Sequence, residues 1–310
     1  MGAASTHVTR LKRYVLPSTS WESGRGAVAA AAPLLDALDV SGYDMVILHT
    51  TYLAPLVPLL ATRAARVGVD VYDLVWRAHR IDATGAPACL WALRGAYAGA
   101  VRVREQRLLS AADRLLVAGY RDFETLQGLG PRATWAPTGL ECSPTPGPPM
   151  PPVRLGLIGN FAHSATADAA RRLVDSELAD KGVRLVFAGS GSDAWAAHTA
   201  VHVLGPLANV EDFYRHVNLV LVPVASGSGM KCKLAEAVLA GKPVITTPAG
   251  ASGYAPRLRR KFHIRADPLA LSASEMEVIV QRHDALGARA CFSSEVGLAA
   301  AATTYRGGLA

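Results

Sequence analysis

The sequence predicts an α/β protein made of two parallel sheets. Three observations carry this. Short Val/Ile/Leu runs alternate with helical stretches along most of the chain, the pattern of strands covered on both faces. The alternation pauses at a proline-rich stretch, CSPTPGPPMPP (142–152), and then restarts. The 310 residues, 50% hydrophobic and 18% charged, have globular composition and enough length for two domains.

Each element follows from its local pattern. Residues 45–62 (MVILHTTYLAPLVPLLAT) carry no formal charge and are long enough to span a bilayer. His49, Pro55 and Pro58 within them fit a buried strand and a packed helix better. VDVYDLV (69–75), RLLVAG (114–119) and ATWAP (133–137) read as further strands. An Arg- and Ala-rich helix is expected over 92–112 and a short one over 121–128. After the connector, VRLGLIG (153–159), VRLVFAG (183–189), VHVLG (201–205), LVLVPV (219–224) and PVITTPAG (243–250) read as strands, the last running into a Gly loop. Helices are expected over 166–179, 211–217 and 231–241. The domains then span 1–145 and 146–290, and 291–310 forms a C-terminal helix able to pack back on the first domain.

Composition excludes several classes. The four cysteines (89, 142, 232, 291) contain no C-x-x-C pair, which argues against a zinc ribbon or disulfide scaffold and for a reduced, cytoplasmic setting. The net charge of +7 is spread evenly: 15 basic against 12 acidic residues up to position 150, and 17 against 13 after it. Nucleic-acid binders more often concentrate such charge, so no nucleic-acid partner is expected. An anionic small ligand, or peripheral contact with an anionic membrane, fits equally well. GLIGNF (156–161) lacks the spacing of a dinucleotide fingerprint, and neither a P-loop nor a G-x-S-x-G elbow is present. The nine His have no metal-ligand spacing, and no D-x-D pair occurs, so neither a metal nor another cofactor is expected.

One segment points to an anion. The chain has only six Lys, yet three lie in VASGSGMKCKLAEAVLAGKPVITT (224–247). A Ser/Gly loop there leaves a strand and opens a helix, whose first N–H groups are unpaired and whose N-terminus is partly positive. Lys231 and Lys233 in its first turn are unfavourable unless an anion sits nearby. Gly227 and Gly229 let the backbone approach it. Glu236 follows on the second turn and suits a diol such as ribose. The plainer alternative is a solvated helix start with a surface Glu.

The run SGSGMKCKLAEAVLAGKPVITTPAGASG resembles the donor-binding signature of family-four retaining glycosyltransferases of the GT-B fold. The usual signature has two Glu separated by seven residues. Here the second is Glu236 and the first position holds Ser228, as in a subgroup with a G-S-G-x-K-x-K loop. IGNFAHSATADAARRLV, RLVFAGSG and VLGPLANVEDFYRHVNLVLVPV resemble the segments preceding that signature. VREQRLLSAADRLLVAGYRDFETLQGLGP and APTGLE (136–141) resemble the end of the acceptor domain. The likeness covers about residues 99–255.

The resemblance implies two Rossmann-like domains facing across a cleft, the first shortened and acceptor-binding, the second binding a nucleotide diphosphate sugar. It implies metal-independent transfer with retention, the leaving phosphate oxygen taking the acceptor proton. Donor contacts fall on Gly159, Asn160, Gly227, Ser228, Gly229, Met230, Lys231, Lys233 and Glu236. The N–H groups of 228–230 would hold the diphosphate, and Glu236 the ribose. Near the donor sugar, one register of VDVYDLVWRAHRID (69–82) places His79 and the other Asp70 and Asp73; Ser228 is a third catalytic candidate. WESGRG (21–26) is either an acceptor loop with Gly24, Arg25 and Gly26 facing the cleft, or a plain turn. The Arg-rich, Lys-poor composition suggests a high-GC bacterial genome and a small-molecule, natural-product acceptor of the antibiotic kind. The alternative is a sugar-nucleotide-binding or partner subunit without turnover.

Overall fold

The computed structural model describes residues 33, 37, 40–77, 88–130, 132–224 and 227–309. His79, Gly24, Arg25 and Gly26 lie outside the described residues. The chain divides into two compact units. One comprises Met1–Pro137, Gly227–Met230 and Thr303–Ala310; the other comprises Thr138–Ser226 and Lys231–Ala302.

The first unit holds a parallel sheet in the order β1-β2-β3-β4, formed by Val46–His49, Val67–Val71, Arg114–Val117 and Arg132–Trp135. The uncharged run after β1 becomes a 3-10 helix, Thr51–Leu56, followed by Val57–Leu60. Among the described residues no helix is long and apolar enough to cross a membrane. Helix α1 (Ala88–Leu109) and α2 (Tyr120–Leu126) follow. The core gathers Leu60, Val69, Val71, Leu109, Leu115 and Leu126, all essentially inaccessible. Burial on this scale is worth roughly 1.5–3 kcal/mol per large side chain. Strand β2 stops earlier than its Val-rich run suggests. The chain turns at Tyr72 and Asp73, and the N–H groups of Leu74, Val75 and Trp76 all pair with side chains. A strand ladder is no longer needed there.

The second unit holds a six-stranded parallel sheet. Its strands are β5 (Arg154–Ile158), β6 (Arg184–Ala188), β7 (Val201–Gly205), β8 (Leu219–Val222), β9 (Val244–Thr246) and β10 (His263–Ile264). The spatial order is β7-β6-β5-β8-β9-β10, which within the unit is 3-2-1-4-5-6, the doubly wound order. Helices α3 (Ser164–Val174), α4 (Val210–Arg215) and α5 (Cys232–Leu239) connect its strands. After β9 the expected Gly loop is instead a short helix, Pro248–Ala251. The Thr247 hydroxyl caps it by accepting from Gly250 N at 3.0 Å.

The proline-rich connector counts with the second unit. Thr145 N donates to Ala240 O at 3.0 Å, and Asn218 Nδ2 donates to Pro148 O at 2.7 Å. Those bonds tie it to the second unit. The C-terminal region is three helices: α6 (Ala273–Gln281), α7 (Ala285–Ser293) and α8 (Leu298–Leu309). The end of α8 packs in the first unit. Gly308 lies against Leu116 and Thr134, and Tyr305 Oη donates to Asp70 Oδ2 at 3.4 Å.

Candidate donor site

In the second unit the strand order reverses between β5 and β8, and a crevice opens at the carboxyl ends of strands at such a point. The residues there are Gly159 and Asn160 after β5, and α5 after β8. Gly159 is small for a reason: a Cβ on it would lie 3.3 Å from Lys233 Nζ and 3.4 Å from Thr166 Oγ1. A cation and a hydroxyl thus converge over bare backbone, the arrangement an anion needs. Gly189, at φ +113°, passes so close to Gly159 O that no side chain fits. Asn160 is exposed, and its Oδ1 accepts from Ala162 N at 2.9 Å, closing the turn into α3.

Lys233 Nζ donates to Ile158 O at 3.3 Å. Burial pushes its pKa down, and the nearby Lys231 charge pushes the same way, with Glu236 opposing. Lys231 is the N-cap of α5, and its own side chain makes no cap hydrogen bond. Tyr254, fully buried, fixes the helix start: its hydroxyl donates to Lys231 O at 2.9 Å and accepts from Ala235 N at 3.2 Å. Glu236 is partly buried, and burial raises its pKa against the pull of Lys233. The buried Tyr214 hydroxyl has no hydrogen-bond partner among the described residues, and the Glu236 charge is one cause of its raised pKa. The second unit therefore brings together Gly159, Asn160, Lys231, Lys233 and Glu236.

Gly227, Ser228, Gly229 and Met230 count with the first unit, where they meet a buried network. Ser228 Oγ accepts from Leu74 N at 2.7 Å and donates to Asp122 Oδ2 at 3.0 Å. Gly229 N donates to the same Asp122 oxygen at 2.6 Å. Arg77 pairs with Asp122 Oδ1 at 2.7 Å and donates to Thr125 Oγ1 at 2.7 Å. A side chain on Gly229 (φ +69°) would strike Asp73 Oδ1 and Tyr72 O. The Ser228 hydroxyl is thus engaged by Asp122 and Leu74, and the Gly229 N–H by Asp122.

Asp73 itself is exposed on the turn after β2. Asp70, its companion in that register, is buried at the end of β2 beside His49 Nδ1 (3.2 Å) and Tyr305 Oη. Thr50, next to His49, holds φ +99°, a conformation uncommon for a β-branched residue and often tied to function. Glu105 on α1 is wholly buried and accepts from Val75 N (2.9 Å) and Trp76 N (3.3 Å). Burial raises its pKa to about 7. Sequence reasoning missed Asp122, Arg77, Glu105 and Tyr254. Only Gly119 hinted at the first, because a Cβ there would sit 2.8 Å from both Asp122 Oδ2 and Gly229 Cα. Among the described residues no group of three or more His, Cys, Asp or Glu is placed to hold a metal ion.

Residues 152–274 match the family model described as glycosyl transferases group 1. The match spans the whole second sheet and the β5–α5 site. No curated protein matches the chain. Among solved structures, sucrose-phosphate synthase from Thermosynechococcus elongatus superposes with a TM-score of 0.67 at 16% identity, over 94% of this chain and 78% of that one. S. aureus TarM gives 0.64 at 12% identity, over 90% of this chain. This chain spans 57% of the length of TarM. Anabaena HepE, solved with UDP and glucose, gives 0.60 at 12%, over 90% of this chain and 80% of that one. At identities this low the likeness shows the fold alone: two Rossmann-like units of the GT-B type.

Proposed function

We propose that this protein is a glycosyltransferase that takes a sugar from a nucleotide diphosphate donor. The fold and the family match over residues 152–274 support that class. The observation that carries the site assignment is the convergence of Lys233 Nζ and Thr166 Oγ1 over Gly159, at the switch point of the second sheet. The diphosphate lies against Gly159 and the start of α5. Lys231 and Lys233 neutralise it, and Glu236 holds the ribose. The protein's part in the reaction is then electrostatic: these groups stabilise the charge that grows on the leaving diphosphate.

The segment 227–230 takes a different role from the one its sequence suggests. Asp122, Ser228 and the Leu74 N–H hold it in a fixed conformation beside Asp73, so Ser228 is a positioning residue and Asp73 the acidic candidate near the donor sugar. The first unit binds the acceptor, a small molecule such as a natural product, and transfer proceeds with retention and without a metal. That S. aureus TarM and Anabaena HepE were both solved in complex with UDP agrees with a sugar-nucleotide donor.

The test is calorimetric titration with UDP. Wild-type protein binds it, and Lys233→Ala weakens binding tenfold or more, since a charged hydrogen bond of this kind is worth roughly 1.5–3 kcal/mol. Unchanged affinity in a folded Lys233→Ala variant would remove the assignment.

A further inference from the structure

A second cavity of about 490 Å³ lies in the same unit, at the other end of α5 from Lys233. The connector roofs it with Pro146 and Met150, and Asn218, Lys242 and His283 line its walls. Lys242 is only 3% exposed. Its Nζ is 3.0 Å from where a Cβ on Gly147 would stand, so the ammonium reaches under the connector, and Gly147 leaves room for it. It has no hydrogen-bond or ion-pair partner among the described residues. No Asp or Glu lines the cavity.

A buried ammonium without a counter-charge is costly. Burial accordingly brings the Lys242 pKa down to about 8, which still leaves it mainly protonated at neutral pH. The remaining polar groups are largely taken. Asn218 Nδ2 serves Pro148 O, and the Thr145 hydroxyl serves Ser143 O. His283 Nε2 is buried without a partner among the described residues. Burial, His263 and Lys261 hold the His283 ring below its ordinary pKa against Asp284, so it offers a hydrogen bond and no second charge.

We propose that this cavity binds a small organic monocarboxylate, its carboxylate on Lys242 and its apolar part against Pro146, Pro148 and Met150. One cation balances one negative charge, whereas a phosphate dianion would leave an excess negative charge beside it. The apolar lining selects a short hydrocarbon tail over a bare ion. The site is separate from the donor groups and does not depend on their assignment.

Butyrate titrated into the full-length protein at pH 7 tests this, with butyramide and inorganic phosphate as controls. Butyrate binds saturably, and both controls bind at least tenfold more weakly. Lys242→Met, which keeps the apolar stem, abolishes butyrate binding. Should that variant fail to fold, the Lys242 ammonium resonance of the wild type decides. It is one of only six lysines, and its pKa rises by about one on the pH scale when butyrate is present. The proposal is overturned by absent saturation, by equal phosphate binding, by butyrate that UDP displaces, or by a Lys242 resonance that butyrate leaves unmoved.

Discussion

Glu236 sits one turn beyond Lys233 on a helix whose other residues are Cys, Leu, Ala and Val. Its carboxylate is partly desolvated, which raises its pKa, and Lys233, three residues before it, opposes that rise. That is poor placement for a solvated surface Glu and good placement for accepting hydrogen bonds from a diol. Glu236→Ala should lower UDP affinity by on the order of 2 kcal/mol. Glu236→Gln, which keeps one acceptor oxygen, should cost less. Titration of both variants beside a thermal melt measures this; wild-type affinity in both would return Glu236 to a role in packing alone. The choice of these residues was legible in the sequence because Lys is so rare here that three in twelve positions stood out. Asp122 was not legible. It is an ordinary acid on an ordinary short helix, and only folding brings it to Ser228 and Gly229.

At the scale of elements, the turn after β2 is held by groups far away in sequence. Glu105 from α1 caps the Val75 and Trp76 N–H groups, and Ser228 caps that of Leu74. This is why VDVYDLV reads as one strand and folds as a strand, a turn and a helical start: its apolar period is right, but its N–H partners lie 30 and 154 residues away. The strands of the second sheet, by contrast, follow their Val/Ile/Leu runs closely, because burial on both faces leaves its mark on every residue. Glu105 also gives the turn a pH signature. Its folded pKa of about 7 lies above the ordinary 4.5, so its protonated form favours the folded state. The stability it contributes is full below about 4.5 and is lost as pH rises through about 7, a change of about 3 kcal/mol. Denaturant unfolding at pH 4.5 and pH 8 should therefore give a smaller loss of stability with pH in Glu105→Gln than in the wild type. Parallel losses in the two proteins would mean Glu105 is already ionised at low pH in the fold.

For the whole molecule, the groups set against the donor point to how transfer is helped. On the proposed function, a leaving diphosphate would gain charge as the bond to the sugar breaks, and Lys231, Lys233 and the start of α5 in the second unit would meet it. A cation placed this way takes the part that a divalent ion takes in metal-assisted transfer. Two consequences follow for turnover of a UDP-sugar. A chelator should leave the rate unchanged, and the product should keep the donor's anomeric configuration, read from its anomeric proton coupling. The rate should also fall at alkaline pH. In the proposed role Lys233 would act only while protonated, and burial and Lys231 hold its pKa below the ordinary 10.5, so activity should be lost as pH rises through that lowered value. Lys233→Arg keeps the charge at every accessible pH. It should retain part of the activity and move the alkaline limb upward. Binding of UDP with no turnover under any of these conditions would instead identify a sugar-nucleotide-binding subunit. A rate restored only by magnesium or manganese would place the charge compensation on a metal and not on Lys233.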